Sequence, residues 1–438
     1  MDRDPAHRRA DAEADVLVVG GGFAGIAAAR ELQARGLRAI VLEARDRLGG
    51  RTRLEHRLGR ELELGGTWVH WTQPHVWAEL TRYGIGVVRS PEPSRALWCY
   101  DGRIRELDPA VLLGMLDGPN RRLTATSRQY FPEPYRPRQE PAVPDIDGIS
   151  VAEAIRELEL GDEERALLTS FWTLNFNGRL EHAALTQALR WVALTNGDWS
   201  VNFEACATYK IEGGTRRLAE AMARGLDIRL ERAVVSIEHR PGAVRVTTAD
   251  GAALRARAAI VTAPMAAVDR IRFDPPLSRG KQSAVAAGQI GLGVKVWFRL
   301  RGVHEPFVAF GEADWPLNFL QAEYFDDDAT IVIGFGPDAA ALDLDDPAAV
   351  LAAVRRFLPA AELLDTAHHD WVADPWSGET WPMHRTGFLS TSLGELQEPD
   401  GGVHLAGSDY ADGWGGFIDG AIESGLTAAG RVATALHV

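Results

Sequence analysis

The first fifty residues hold the feature that most constrains this chain. Asp15-Val-Leu-Val-Val19 is an apolar run, Gly20-Gly-Gly22-Phe-Ala-Gly25 and an Ala-rich stretch follow it, and a second apolar run, Ala39-Ile-Val-Leu42, ends on Glu43. The spacing predicts a βαβ unit. Gly20 permits a tight turn out of the strand, Gly22 lets backbone approach a pyrophosphate, and Gly25 lets helix and strand pack closely. The helix would offer free N–H groups and a positive dipole end to that anion. Glu43 stands eighteen residues beyond Gly25, near the spacing for a carboxylate that accepts from ribose hydroxyls. A lone GxGxxG is weak, but strand, turn, helix, strand and acid in this order point to a dinucleotide rather than to an empty glycine-rich turn.

The residues after the acid separate NAD from FAD. Glu43-Ala-Arg45-Asp-Arg47-Leu-Gly49-Gly50-Arg51-Thr52 adds a glycine pair and three arginines, which suits a chain that wraps an extended FAD. Two glycines beside a cation make a turn that can face an anion, so Gly50 and Arg51 are candidate cofactor contacts. Arg45 is a third, although Arg45 and Arg47 taken singly could as well be a solvated charge cluster.

Further blocks follow: Glu63-Leu-Gly65-Gly66-Thr67-Trp68-Val69, Lys295 in Gly293-Val-Lys-Val-Trp297, and Leu405-Ala-Gly407-Ser-Asp409 through Gly413-Trp414-Gly-Gly416-Phe417-Ile-Asp-Gly420 to Gly425. In kind and order these blocks resemble the flavin-containing amine oxidase family, which includes the monoamine oxidases and bacterial nicotine-pathway amine oxidases. The resemblance covers nearly the whole chain, with residues 90 to 205 matching only in general character. It implies an α/β fold with a Rossmann-like FAD-binding domain of the GR2 type and a discontinuous α+β substrate-binding domain. The expected division is 12–88, 207–278 and 385–438 for FAD, 89–206 and 279–384 for substrate, and a flexible 1–11. It further implies FAD contacts at Gly66, Thr67, Val234, whose backbone meets the adenine, and Gly407 and Asp409 near the pyrophosphate and ribityl chain. Ile418 is expected to begin a helix whose N-terminus faces the flavin.

The chemistry needs few residues. Lys295 stands in an apolar strand of an arginine-rich chain, where an unpaired charge is costly. The resemblance gives it a water at flavin N5; the alternative is a surface lysine on an edge strand. Trp381 and Phe417 match the family's aromatic cage, in which a neutral amine sits between two π faces, an effect worth roughly 0.5–2 kcal/mol. Thr380 stands where monoamine oxidases carry the cysteine that attaches FAD, so a non-covalent cofactor is expected. Trp68, His70 and Asn175 are candidate pocket residues, His70 being equally a structural histidine. Residues 150–192 are helical in composition, with Phe171-Trp-Thr-Leu-Asn175-Phe-Asn177 expected to interrupt them. The prolines between Pro119 and Pro144 predict a surface loop or a lid over 118–145.

Composition agrees with a large enzyme and narrows its partners. The 438 residues are 46% hydrophobic and 25% charged, with net charge −14, which argues against nucleic acid and weakly favours cationic substrates. Cys99 and Cys206 lack any metal or disulfide spacing and read as idle thiols of a cytoplasmic protein. No secretory h-region opens the chain, no membrane-spanning run occurs, and no C-terminal anchor is expected after Val438. A homodimer is left open.

The activity this implies is hydride transfer from the carbon next to an amine to flavin N5. The imine hydrolyses to aldehyde or ketone, and electrons pass to dioxygen, giving hydrogen peroxide, or to a redox protein. An L-amino-acid oxidase on the same fold would need a cation for the substrate carboxylate, for which Arg385, His384 and Arg179 are available. A flavin-binding regulatory protein without activity is the third possibility, disfavoured by the presence of the lysine and both aromatics.

Overall fold

The computed structural model describes residues 13–437, so the expected flexible segment 1–11 lies outside the described residues. The two apolar runs are adjacent parallel strands, Val16–Val19 and Ala39–Leu42, joined by the helix Phe23–Ala34. They lie inside a five-stranded parallel sheet in the spatial order Asp227–Arg229, Ala39–Leu42, Val16–Val19, Ala258–Val261, Val403–Leu405. Such strands are covered on both faces, which is why they read as unbroken apolar runs. The helices Phe23–Ala34 and Ile418–Ala435 cover one face; Ala28, Leu32, Ala429 and Val432 are buried there with Val16 and Val18. Gly25 is needed for closeness rather than for a ligand, since a Cβ there would lie 2.0 Å from Gly20 O.

Beyond this sheet the chain builds a four-stranded sheet from Val234–Arg240, Ala243–Thr248, Ala253–Ala256 and Arg272–Asp274. The largest sheet has seven strands in the order Leu363–His368, Val294–Arg301, Ala329–Gly336, Phe319–Phe325, Phe307–Phe310, Arg95–Tyr100, Arg103–Leu107. Its pairings are antiparallel except Phe307–Phe310 with Arg95–Tyr100. In its register Lys295 lies opposite Phe335, and Phe335 opposite Phe319. A helical layer packs on this sheet through Trp172, Phe176, Trp191 and Trp199.

Two local expectations are corrected. Phe171–Phe176 does not interrupt a helix but forms the last turns of Asp162–Phe176, which Asn177 ends in the left-handed conformation, φ 46 and ψ 44. The segment 118–145 is a loop only in its middle: residues 131–142 form no helix or strand, whereas the helix Pro109–Leu123 runs through Pro119, and Ser127–Tyr130 and Val143–Asp147 are helical turns. Phe131 and Val143 are buried in the core with the parallel sheet, the Tyr135 ring packs on His75, and no residue of the segment lines the cavity described below.

Candidate active site

A single continuous cavity, enclosing ≈ 290 Å³, runs from the glycine-rich turn to the seven-stranded sheet. Gly20, Gly22, Glu43, Arg45, Gly50, Arg51, Gly66, Thr67, Val234, Gly407 and Ile418 line it, as do Trp68, Asn175, Lys295, Thr380, Trp381 and Phe417. Three expected residues do not. Gly25 packs helix on strand, Asp409 sits behind Arg51, and His70 is fully buried away from the cavity. The His70 Nδ1 meets Thr72 Oγ1 at 2.8 Å and its ring rests on Trp71. Burial pushes its pKa down to about 4, which leaves it neutral at physiological pH.

At the turn, Glu43 accepts from Gly21 N at 2.5 Å and from Arg45 N at 2.8 Å, fixing its carboxylate on the cavity wall. Gly50, at φ 61, closes against Gly22, where a Cβ would come within 3.3 Å of the Gly22 Cα. Arg45 is held by Asp374 at 2.8 Å and by Ser377. Arg51 bridges Glu379 (3.0 Å), Thr380 O (3.1 Å), Ser408 (2.9 Å) and Asp409. Burial, then the Asp409 carboxylate beside it, raises Glu379 well above the usual carboxylate range. Burial opposes ionisation of Asp409 too, but Arg51, a hydrogen bond from Glu379 and the Met265 N–H together hold it below that range, so the pair shares one proton beside one cation.

The two helices that start at the cavity, Phe23–Ala34 and Ile418–Ala435, begin after residues without a side-chain cap, Gly22 and Phe417. Their first N–H groups are therefore free for a ligand, and both dipoles present positive ends. One acid, a glycine pair in contact, Arg51 and two uncapped helix starts on one elongated cavity fit a pyrophosphate-containing flavin dinucleotide.

At the other end Lys295 is buried. Its Nζ donates to Gly65 O at 2.6 Å and Thr67 Oγ1 at 2.5 Å, and lies 5.4 and 5.6 Å from the Trp68 and Trp297 ring centres. Burial pushes its pKa down to about 7, against the pull of Glu63 and Glu323. Trp381 is 6.0 Å from Phe335 and donates its indole N–H to Asn175 O at 3.0 Å. Phe417 is wedged between Trp191 at 5.0 Å and Trp414 at 5.1 Å. Thr380 Oγ1 donates to Gly291 O at 2.8 Å and accepts from Asn177 Nδ2 at 3.1 Å. Sequence reasoning missed Trp191, Phe203, Cys206, Phe319, Gln321 and Phe335 as wall residues. Phe335 and Phe319 were reachable only through strand register with Lys295, and Trp191 only through its packing on Phe417. Burial pushes the Cys206 thiol up to about 12, so it is a neutral group of the wall.

The three cations considered for a substrate carboxylate are elsewhere. Arg179 is exposed and paired with Asp338, and neither His384 nor Arg385 lines the cavity. Burial, then Arg190, lowers His384 far below its ordinary value, so it carries no charge to offer.

Fold and site together define a flavin-dependent oxidoreductase whose cavity is aromatic at the end away from the glycine-rich turn. Comparison with known proteins gives the family. The profile of the flavin containing amine oxidoreductases matches residues 23–433, and the chain belongs to that family. It is 34% identical to pseudooxynicotine dehydrogenase of a Pseudomonas species, over 96% of this chain and 86% of that one. To (S)-6-hydroxynicotine oxidase of Paenarthrobacter nicotinovorans it is 30% identical, over 94% and 97%. The fold superposes on cyclohexylamine oxidase from Brevibacterium oxydans with a TM-score of 0.80 at 23% identity, covering 97% of this chain and all of the other. FAD-dependent oxidation of an amine is thus the activity, and the L-amino-acid oxidase alternative is not favoured. Among the described residues no helix is long and apolar enough to cross a membrane, and no group of three or more metal-ligating side chains occurs.

Proposed function

We propose that the protein oxidises an amine with an apolar body, using FAD held without a covalent link, and that its two domains divide as 12–88, 207–278 and 385–438 against 89–206 and 279–384. The observation that carries this reading is the wall beside Lys295. It consists of Trp68, Phe203, Phe319, Phe335, Trp381 and Phe417 with two amides, and it holds no carboxylate and no disengaged cation. A substrate carboxylate would lie unpaired there, and so would a second ammonium, each at a cost that excludes it. The relatives named for pseudooxynicotine and 6-hydroxynicotine support an amine of this kind.

When bound, FAD supplies the two-electron acceptor for the hydride that leaves the carbon beside the amine nitrogen. Trp381 and Phe417 stand as two walls for the neutral amine and attract the positive charge that develops on its nitrogen. The free N–H groups at Ile418 stabilise negative charge that accumulates near the helix start. Lys295, fixed by Gly65 O and Thr67, holds or releases a proton near neutral pH. The imine product is hydrolysed by water, and electrons leave to dioxygen, yielding hydrogen peroxide, or to a protein acceptor. With Thr380 engaged by Gly291 and Asn177, and Cys206 a neutral thiol, no wall nucleophile is disposed to bond the flavin. Two free cysteines support a cytoplasmic location.

Anaerobic mixing with a matched pair tests the reading. 2-Phenylethylamine should bleach the bound flavin, whereas L-phenylalanine, the same skeleton with a carboxylate, should not. The opposite order would return the amino-acid oxidase.

A further inference from the structure

We infer that Gln321 presents a fixed hydrogen-bond acceptor to the substrate and selects amines that carry a second hydrogen-bond donor on their apolar body, an inference that rests on amine oxidation in this cavity. Gln321 lines the cavity from the strand Phe319–Phe325. It lies on the same sheet face as Phe319, about 7 Å further along the strand, in register with Ile333 and through it with Trp297. Its amide is not free to turn. Nε2 donates to Glu323 Oε1 at 2.6 Å, and the other Glu323 oxygen is taken by Lys210 Nζ at 2.5 Å.

The chemistry of these partners fixes the orientation. A carboxylate bonded to a lysine can only accept, so the NH₂ end of Gln321 must face Glu323 and its carbonyl must face away. Lys210 is itself held, 4.4 Å from the Tyr324 ring centre and 3.3 Å from its hydroxyl, so the clamp is buried and rigid. Among the described residues no hydrogen bond engages the Gln321 carbonyl oxygen, which leaves it as an acceptor on the cavity wall. Asn175 has the same polarity: its Nδ2 donates to Phe171 O at 2.7 Å, which can only accept, so its oxygen too is the free end. The chamber therefore offers rings and acceptors, and a donor on the substrate body is what they recognise. A buried ion pair that holds one amide in one orientation turns a neutral side chain into a directional contact, and a ligand without the matching group leaves it unpaired.

The test measures binding to the dithionite-reduced holoenzyme, where no turnover occurs, by titration calorimetry with 2-phenylethylamine, tyramine and 4-methoxyphenethylamine. These share a skeleton and differ in offering no further group, a donor, or an acceptor alone. Tyramine should bind about five- to tenfold more tightly than either of the others. In Gln321→Leu, checked for full FAD content and an unchanged melting temperature, the three should bind alike. A tyramine preference that survives in Gln321→Leu, or is absent from the wild type, overturns the inference. Loss of the preference in Gln321→Leu together with failure of all three amines to reduce the oxidised flavin would uphold the contact and overturn the amine-oxidation reading instead. If none of the three binds, both fall.

Discussion

Lys295 shows how one residue's place sets its chemistry. The strand that carries it is apolar, so burial lowers its pKa to about 7, and its two hydrogen bonds run to groups that accept from either charge state. Lys295→Met should keep FAD bound and slow reoxidation by dioxygen more than reduction by amine, as stopped-flow measurement of the two half-reactions would show; wild-type rates in both would leave the residue without a catalytic part. A stability effect accompanies this. Between about 7 and the ordinary lysine value of 10.5 the unfolded chain holds a proton that the folded protein lacks, so wild-type stability rises with pH across that window. The stability difference between wild type and Lys295→Met should therefore move in favour of the wild type from pH 7 to 10. A flat difference in chemical denaturation would mean that Lys295 stays charged.

At the level of elements, the site depends on where helices begin. The helix Ile418–Ala435 starts at the cavity, and its first turn carries Asp419, whose buried carboxylate accepts from His75 N at 2.6 Å and Val76 N at 2.9 Å. One helix thus caps the start of another, Pro74–Tyr83, and the pair is locked. Asp419→Ala should cost about 1–3 kcal/mol, visible as a lower melting temperature, and should loosen FAD because the start of its own helix loses its tether. Unchanged melting would mean water replaces the cap. Elements also show what a sequence discloses. The dinucleotide turn was legible because its glycines, its strands and Glu43 are close in sequence and answer to local sterics; the start of the last helix at Ile418 was legible for the same reason. The substrate wall was not. Phe319 and Gln321 on one strand and Phe335 on the next reach Lys295 only through pairing of three strands, and Trp191 reaches the chamber from a helix that reads as ordinary core. In the proline-rich 118–145 the irregular middle, 131–142, was legible, whereas its start was not, because Pro119 lies inside a helix whose packing overrides local propensity.

Over the whole molecule, one cavity joins two sheets, with a phosphate-binding turn at one end and an aromatic chamber at the other. On the proposal that the cofactor is held without a covalent link, acid precipitation should release the yellow colour into the supernatant, and colour retained in the pellet would require a covalent bond. The claim on which the account turns is that the amine reacts between Trp381 and Phe417. Phe417→Tyr keeps the ring and should be mild. The decisive quantity is the anaerobic rate of flavin reduction at saturating 2-phenylethylamine in Trp381→Ala and Phe417→Ala, with FAD content measured for each. Losing an orienting wall should lower that rate on the order of 10²-fold while FAD remains fully bound; full FAD with near wild-type reduction rates in both variants would place the reaction elsewhere.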